Sequence, residues 1–260
     1  MPKQTNYIAK VADNSGFIDY SDAEHGVWSD LFKQQQAFVE QYSADVYIDG
    51  LTKLAMPSDR IPQCAEISHL LQPLTGWTVA PVPALISFER FFKTLSDKTF
   101  PAASFIRSRA DFDYIKEPDI FHEIYGHTPL LTDPSFARFS ETIGNIGLQV
   151  APADYSWLIR LYWFTIEFGL LNQNGEYKAL GSGLNSSPTE LIYSVDSPVP
   201  ERREFNVIDI LRTPYRIDIY QPIYYVIDSV DELMQVTQRD LLSDIKKAQS
   251  LGLYEAGQSD

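Results

Sequence analysis

The chain has 260 residues, 44% of them hydrophobic, and a formal charge of −14 from 35 acidic and 21 basic side chains. That acidic balance, with no basic run, argues against nucleic acid or an anionic membrane as partner, and the apolar share is enough to fill a sizeable core. A single cysteine, Cys64, excludes an internal disulfide; the polar opening Met1 to Tyr7 lacks a signal-peptide core and nowhere do eighteen apolar residues run together, so a cytoplasmic protein is expected.

No repeat, low-complexity tract or Pro/Gly/Ser linker divides the chain. One domain is expected over residues 20–250, with a polar extension over 1–19 and a tail over 251–260. From Asp22 to Leu54, Trp28, Leu31, Phe32, Phe38, Val39 and Tyr42 recur at three- and four-residue intervals behind a Ser21-Asp22 start that can cap, which predicts helix. A second helix is expected from Ile61 to Leu71, stopping before Pro73. His25 and His69 read as structural or solvated. Trp77 to Ile86 is extended and broken by prolines, which suggests a loop over a pocket, and a helix follows from Ser87 to Ser96. On that helix Phe88, Phe91, Phe92 and Leu95 read as a core face. Arg107 follows an aromatic and β-branched stretch. It is either a fork for a carboxylate or, with Arg109, Asp111 and Asp113, part of a solvated ion-pair surface.

The stretch from Pro118 to Leu131 holds two of the four histidines, His122 and His127, with Glu123 and Gly126 between them. Residues five apart on a regular helix diverge by about 140°, so two imidazoles can reach one ion only if the chain leaves regular helix between them. Gly126 and Pro129 are the residues expected to end it. Glu123 is expected to point away from an ion held by His122 and to lie behind it. After a helix over Ser135 to Val150, the apolar run from Trp157 to Leu171 predicts a buried helix ending near Gly169, with Glu167 in its last turn. A carboxylate there needs a positive partner. That partner is a metal, or Arg160 seven residues back, or water at an exposed edge. Two imidazoles and one carboxylate without a nearby cysteine match the facial triad of non-haem iron(II) oxygenases, and a zinc hydrolase uses similar ligands.

Asn174-Gly175 has the chemistry of a tight hairpin turn. Gly181-Ser182-Gly183-Leu184-Asn185-Ser186-Ser187 lacks the lysine and spacing of a phosphate loop. Tyr215 to Ile227 reads as strand or pocket wall, and Val230 to Ser250 as a last amphipathic helix.

Three stretches together, Pro118 to His127 with Pro129-Leu130, Tyr162 to Leu170, and Gly181 to Leu184 with Ser186, Ser187 and Glu190, resemble the pterin-dependent aromatic amino acid hydroxylases, most of all the bacterial single-domain phenylalanine hydroxylases. The likeness spans roughly Tyr20 to Leu233 in the family's order. It implies a mostly α fold with a few short β-strands, in a single catalytic domain. It also implies iron(II) held by His122, His127 and Glu167, a tetrahydropterin co-substrate, O2, and L-phenylalanine as substrate, with tyrosine or tryptophan as substrates of the same class. By the same resemblance Arg107 grips the substrate carboxylate. Pro118 and Trp163 pack on its ring, Ser186 and Ile217 complete its pocket, and Phe91, Ile86 and Glu123 face the pterin. Tyr162, Asp119 and Glu190 lie one layer behind, with Ser186 and Glu190 fixing the tautomer of His122. Two departures stand out. Pro101 occupies a place where animal members carry a histidine, and Ile115-Lys116 replaces a Thr-Pro pair. The last helix is too short for the tetramerising coiled coil of the animal enzymes, so a monomer or dimer is expected.

Overall fold

A computed structural model describes residues 7–83, 85–113, 115 and 117–255. Residues 1–6, Ala84 in the proline-broken stretch, Tyr114, Lys116 in the Ile115-Lys116 departure, and residues 256–260 lie outside the described set.

Helix α1 runs Asp22–Tyr42, opened by a capping box in which Ser21 and Glu24 satisfy each other's backbone donors. Sequence periodicity carries on to Leu54, but the structure breaks it into α1 and α2 (Asp45–Lys53). The break has a cause. Ala44 donates its N–H to the Ala179 carbonyl at 2.9 Å, which turns the chain so that α2 lies behind the histidine segment. Helix α3, Cys64–Thr75, continues through Pro73 to a left-handed Gly76, so the expected stop at Leu71 is wrong. Pro73 sits in the final turn, where it removes one hydrogen bond without stopping the helix, and Gly76 supplies the ending.

Of the extended stretch after Trp77, Thr78–Val82 is a strand, while Pro83, Leu85 and Ile86 form the loop expected before the next helix. β1 (Thr78–Val82) pairs in parallel with β2 (Thr99–Ala103) across α4 (Phe88–Ser96). With only two strands both are edges, which tolerates Pro81 and Pro101. Helix α5 is Pro134–Gly147. The run expected as one helix from Trp157 is α6, Tyr155–Tyr162, followed by a π-helical turn, Trp163–Glu167. Leu170 and Leu171 then belong to strand β3 (Leu170–Gln173), paired antiparallel with β4 (Glu176–Ala179). Asn174 and Gly175, both at positive φ, make the turn between them, as that dipeptide requires.

Short helices α7 (Ser182–Asn185) and α8 (Pro188–Asp196), strand β5 (Glu201–Glu204) and helix α9 (Val207–Arg212) follow. Of the stretch from Tyr215 only Ile223–Ile227 is strand, β6, which completes a mixed sheet in the order β4-β3-β6-β5. The last amphipathic stretch divides into α10 (Val230–Val236) and α11 (Leu241–Leu251), because Asp240 caps a new start by accepting from Ser243 N. Among the described residues no helix is long and apolar enough to cross a membrane.

The core gathers behind the histidine segment. Trp28 meets Phe121 edge-on with ring centres 5.2 Å apart, Phe121 stacks on Tyr125 at 4.6 Å, and the Tyr47 hydroxyl donates to the Tyr125 carbonyl at 2.6 Å. Helices α1 and α2 therefore hold that segment rigidly from the back. At the termini, Tyr7 stacks on Phe105 at 4.8 Å and the Tyr254 hydroxyl donates to Asp209 at 2.6 Å.

Candidate metal centre

The segment Phe121–His127 is π-helical. Its hydrogen bonds close over five residues, so side chains five apart lie one above the other instead of diverging. The chain does leave regular helix between the histidines, as required, but it widens the turn and does not end it at Gly126. The result is that His122 Nε2 and His127 Nε2 stand 3.2 Å apart, with ring planes at 88°.

Glu167 comes from the second π-helical turn. Its Oε1 lies 3.2 Å from His127 Nε2 and its Oε2 3.7 Å from His122 Nε2. Arg160 does not pair with it. That guanidinium covers the Trp157 ring at 4.9 Å and reaches the Leu211 carbonyl. Metal–ligand bonds near 2.1 Å put neighbouring donors roughly 3.0–3.4 Å apart; the two 3.2 Å separations lie in that range and the 3.7 Å one just outside it, so a small shift of the Glu167 carboxylate fits the triad to one small cation. Its chemistry fits as well. Burial pushes His122 down to about 4, which keeps the imidazole neutral. Burial opposes ionisation of Glu167, but His127, His122 and the Ser182 hydroxyl together hold it down to about 2.

Glu123 requires a correction. Its carboxyl oxygen does not point away but lies within 4.8 Å of both imidazoles, because the wide turn rotates it toward them. Burial, and then the charges of Glu167 and Asp119, push its carboxyl well above its ordinary value.

The loop around α7 is wedged between the two π-helical turns, and its glycines let it fit. A Cβ on Gly181 would meet the Glu167 carbonyl oxygen at 2.1 Å, and one on Gly126 would meet the Ser182 carbonyl oxygen at 2.9 Å. Ser186 accepts from His122 Nδ1 at 2.8 Å while giving its own proton to the Ser182 carbonyl at 2.8 Å. One hydroxyl has one proton, so the imidazole must carry its proton on Nδ1, leaving a lone pair on Nε2. Sequence reasoning missed Ser182. Its Oγ is 3.0 Å from Glu167 Oε2, 3.1 Å from His127 Nε2 and 3.0 Å from the Ile166 carbonyl. The signal was there in a small polar residue between two glycines. Phe100 was missed too; its ring lies 4.6 Å from that of His127.

Behind the histidines, Asp119 is fully buried and accepts from Arg107 N, Nε and Nη2 and from His122 N, at 2.8–3.1 Å. Arg107 is thus neither solvated nor part of a surface pair. Pro118, just before Asp119, is half-buried. Tyr162 lies with its ring 6.3 Å from that of His127, and burial followed by the charge of Glu167 raises its hydroxyl well above the usual range. The Phe91 ring meets Tyr162 edge-on at 5.2 Å, and only Phe92 and Leu95 of α4 are core. Ile86 is half-buried just before that helix. The Trp163 ring stacks on Tyr215 at 4.2 Å.

Two expected positions differ. Glu190 makes its hydrogen bonds to Gln221 N at 3.0 Å and Tyr224 Oη at 2.9 Å, so Ser186 fixes the His122 tautomer without it. Ile217 is 62% exposed in the turn before β6, so it rims an open face and does not wall a closed pocket.

The fold and this donor set make a candidate mononuclear metal centre of two imidazoles and one carboxylate in a mostly helical chain. The chain matches the biopterin-dependent aromatic amino acid hydroxylase family over residues 3–257, and it belongs to that family. It is 49% identical to the phenylalanine-4-hydroxylase of Vibrio cholerae over 249 residues, 96% of this chain and 86% of that one. The apo structure of the cold-active phenylalanine hydroxylase of Colwellia psychrerythraea 34H superposes with a TM-score of 0.94 at 48% identity, covering 96% and 97% of the two chains. The Chromobacterium violaceum phenylalanine hydroxylase, solved with bound oxidised Fe(III), gives 0.90 at 34% identity over 96% and 91%.

Proposed function

We infer that the chain is a phenylalanine 4-monooxygenase that converts L-phenylalanine to L-tyrosine with O2, a tetrahydropterin and a ferrous ion. The observation that carries this reading is the convergence of His122, His127 and Glu167 to 3.2–3.7 Å in a chain of this family. Iron(II) in that triad, with the reduced pterin, supplies oxygen activation and the two electrons the reaction consumes.

The protein's own residues bind, orient and exclude water. Ser186 presents the His122 lone pair, and Ser182 holds one oxygen of Glu167. Arg107, locked by Asp119 but with one arm of its guanidinium held only by a long bond to the Phe112 carbonyl at 3.4 Å, offers a charged fork to the amino acid carboxylate. Trp163 and Pro118 flank the ring, with Ile217 at the rim. The half-buried Phe91, leaning on Tyr162, offers an aromatic face to the pterin, with Ile86 and Glu123 beside that space. Residues 20–250 form the catalytic unit of a monomer or dimer in the cytoplasm, with no nucleic-acid partner.

The test is tyrosine formation from phenylalanine by metal-free protein refilled with iron(II), zinc(II) or nothing, in the presence of a synthetic tetrahydropterin. Iron alone restores it. Equal activity with zinc would support a hydrolytic Lewis acid instead, and a higher rate on tyrosine or tryptophan would move the substrate within the family.

A further inference from the structure

Gln221 stands at the junction of three elements, and its side-chain amide and backbone N–H are all partnered. It is 1% exposed. Its Oε1 lies 3.1 Å from the indole Nε1 of Trp163, and its Nε2 faces two backbone carbonyls, Arg216 O at 2.8 Å and Ile219 O at 3.3 Å. An indole nitrogen only donates and a carbonyl only accepts, so the orientation of the amide is forced by its neighbours. The backbone N–H of Gln221 donates to Glu190, itself 8% exposed and also held by Tyr224. A side chain with one acceptor and two donors on the same end is required here. Glutamate would set an oxygen against two carbonyl oxygens, and methionine would fill the space with no hydrogen bond.

We propose that Gln221 is a positioning residue that fixes the Trp163 indole and the 216–219 turn against each other, so that the substrate's ring meets a wall and a rim of set separation. This rests on reading the site as that of an aromatic amino acid hydroxylase. The indole stacks on Tyr215 at 4.2 Å and meets Phe168 at 4.5 Å with its plane tilted by 37°, apolar contacts without direction, and the hydrogen bond to Gln221 pins its edge. The turn carries the exposed Ile217 and has the same anchor. Glu190, which cannot reach the metal centre through its own bonds, acts by holding Gln221 in place.

The experiment compares the iron-loaded protein with Gln221→Met and Trp163→Phe, singly and together. In Gln221→Met the KM for phenylalanine rises about tenfold, more than kcat falls, and the fraction of pterin oxidation that yields tyrosine drops. Acrylamide quenches the Trp163 share of the fluorescence, defined by difference from Trp163→Phe, more strongly than in the unaltered protein. The double variant is no worse than the poorer single one, as one broken contact requires. An unchanged KM with unchanged quenching, or additive effects, overturns the proposal. If Gln221→Met does not fold, the unaltered protein still decides. The Trp163 indole N–H, assigned by its loss in Trp163→Phe, must exchange with solvent at least about tenfold more slowly than an unbonded indole, and fast exchange overturns the proposal. Absence of tyrosine formation by the unaltered iron-loaded protein sinks the hydroxylase reading separately, leaving quenching and exchange to judge Gln221.

Discussion

Ser186 and His122 are joined by a 2.8 Å hydrogen bond whose direction is set by a third group, the Ser182 carbonyl that takes the Ser186 proton. Ser186→Ala removes the acceptor for the Nδ1 proton, and the imidazole can then turn or change tautomer. Iron(II) affinity, measured by competition with a chromophoric chelator, falls about 10–100-fold, and turnover falls with it. An unchanged affinity would mean that the hydroxyl does not orient the ring.

Glu167→Ala leaves two imidazoles and no anion. The protein then loses iron on gel filtration under conditions where the unaltered protein keeps it, and tyrosine formation drops by at least about a hundredfold. Removing the metal from the unaltered protein with a chelator gives the same loss of activity, reversed by added iron(II).

The buried Arg107–Asp119 pair governs acid stability. Burial opposes ionisation of Asp119, but the Arg107 charge and the hydrogen bonds it accepts hold its folded value below that of the unfolded chain. Its stabilisation is therefore complete above the ordinary aspartate value near 3.9 and is lost as the pH falls below it, through the depressed folded value. Asp119→Asn costs about 3 kcal/mol at pH 7 by leaving Arg107 poorly paired, and the gap between the two proteins' urea midpoints narrows from pH 7 to pH 3. A constant gap would contradict this.

Gly181→Ala sets a methyl group 2.1 Å from the Glu167 carbonyl oxygen, a backbone atom that cannot yield cheaply. Stability falls by about 1–3 kcal/mol in urea unfolding, and iron retention weakens because the carboxylate is displaced with its backbone.

Cys64 is 5% exposed, and burial pushes its thiol up to about 12. A thiol-specific reagent leaves the native protein unmodified at pH 8 and titrates one group once it is unfolded in denaturant. Rapid native labelling would show that α3 opens locally.

The chemistry-bearing residues were legible because their types are rare and clustered: two of four histidines in six positions, and one acid in a greasy run. Helix existence was legible from apolar periodicity, but breaks were not. Periodicity continues through Ser43 and through residues 237–240, and what stops α1 is a hydrogen bond to Ala179, far along the chain. Pro73 misled because a proline disfavours the turn before it without forbidding it, and here the helix runs on to the left-handed Gly76. Glu123 was misplaced because its direction was derived from α-helical angles, and single-residue propensities do not reveal a π-helical turn. Ser182 and Gln221 went unnoticed since each matters through partners 15 or more positions away.

The wide turn at Phe121–His127 has a consequence for how this enzyme can vary. It accommodates one residue more than an α-helix needs to bring two imidazoles together. Deleting a residue between them would restore the four-residue spacing of a narrow helix and still place both rings on one side. The chain beyond would then be turned by about 100° and drawn back by about 1.5 Å. His127 would leave the Phe100 ring and the Ser182 hydroxyl, and Pro129 would leave the close seat against Gly50. Length in this stretch is therefore fixed by the surroundings of the second histidine, and homologous centres that lose a residue here must rebuild a whole flank to keep the ion.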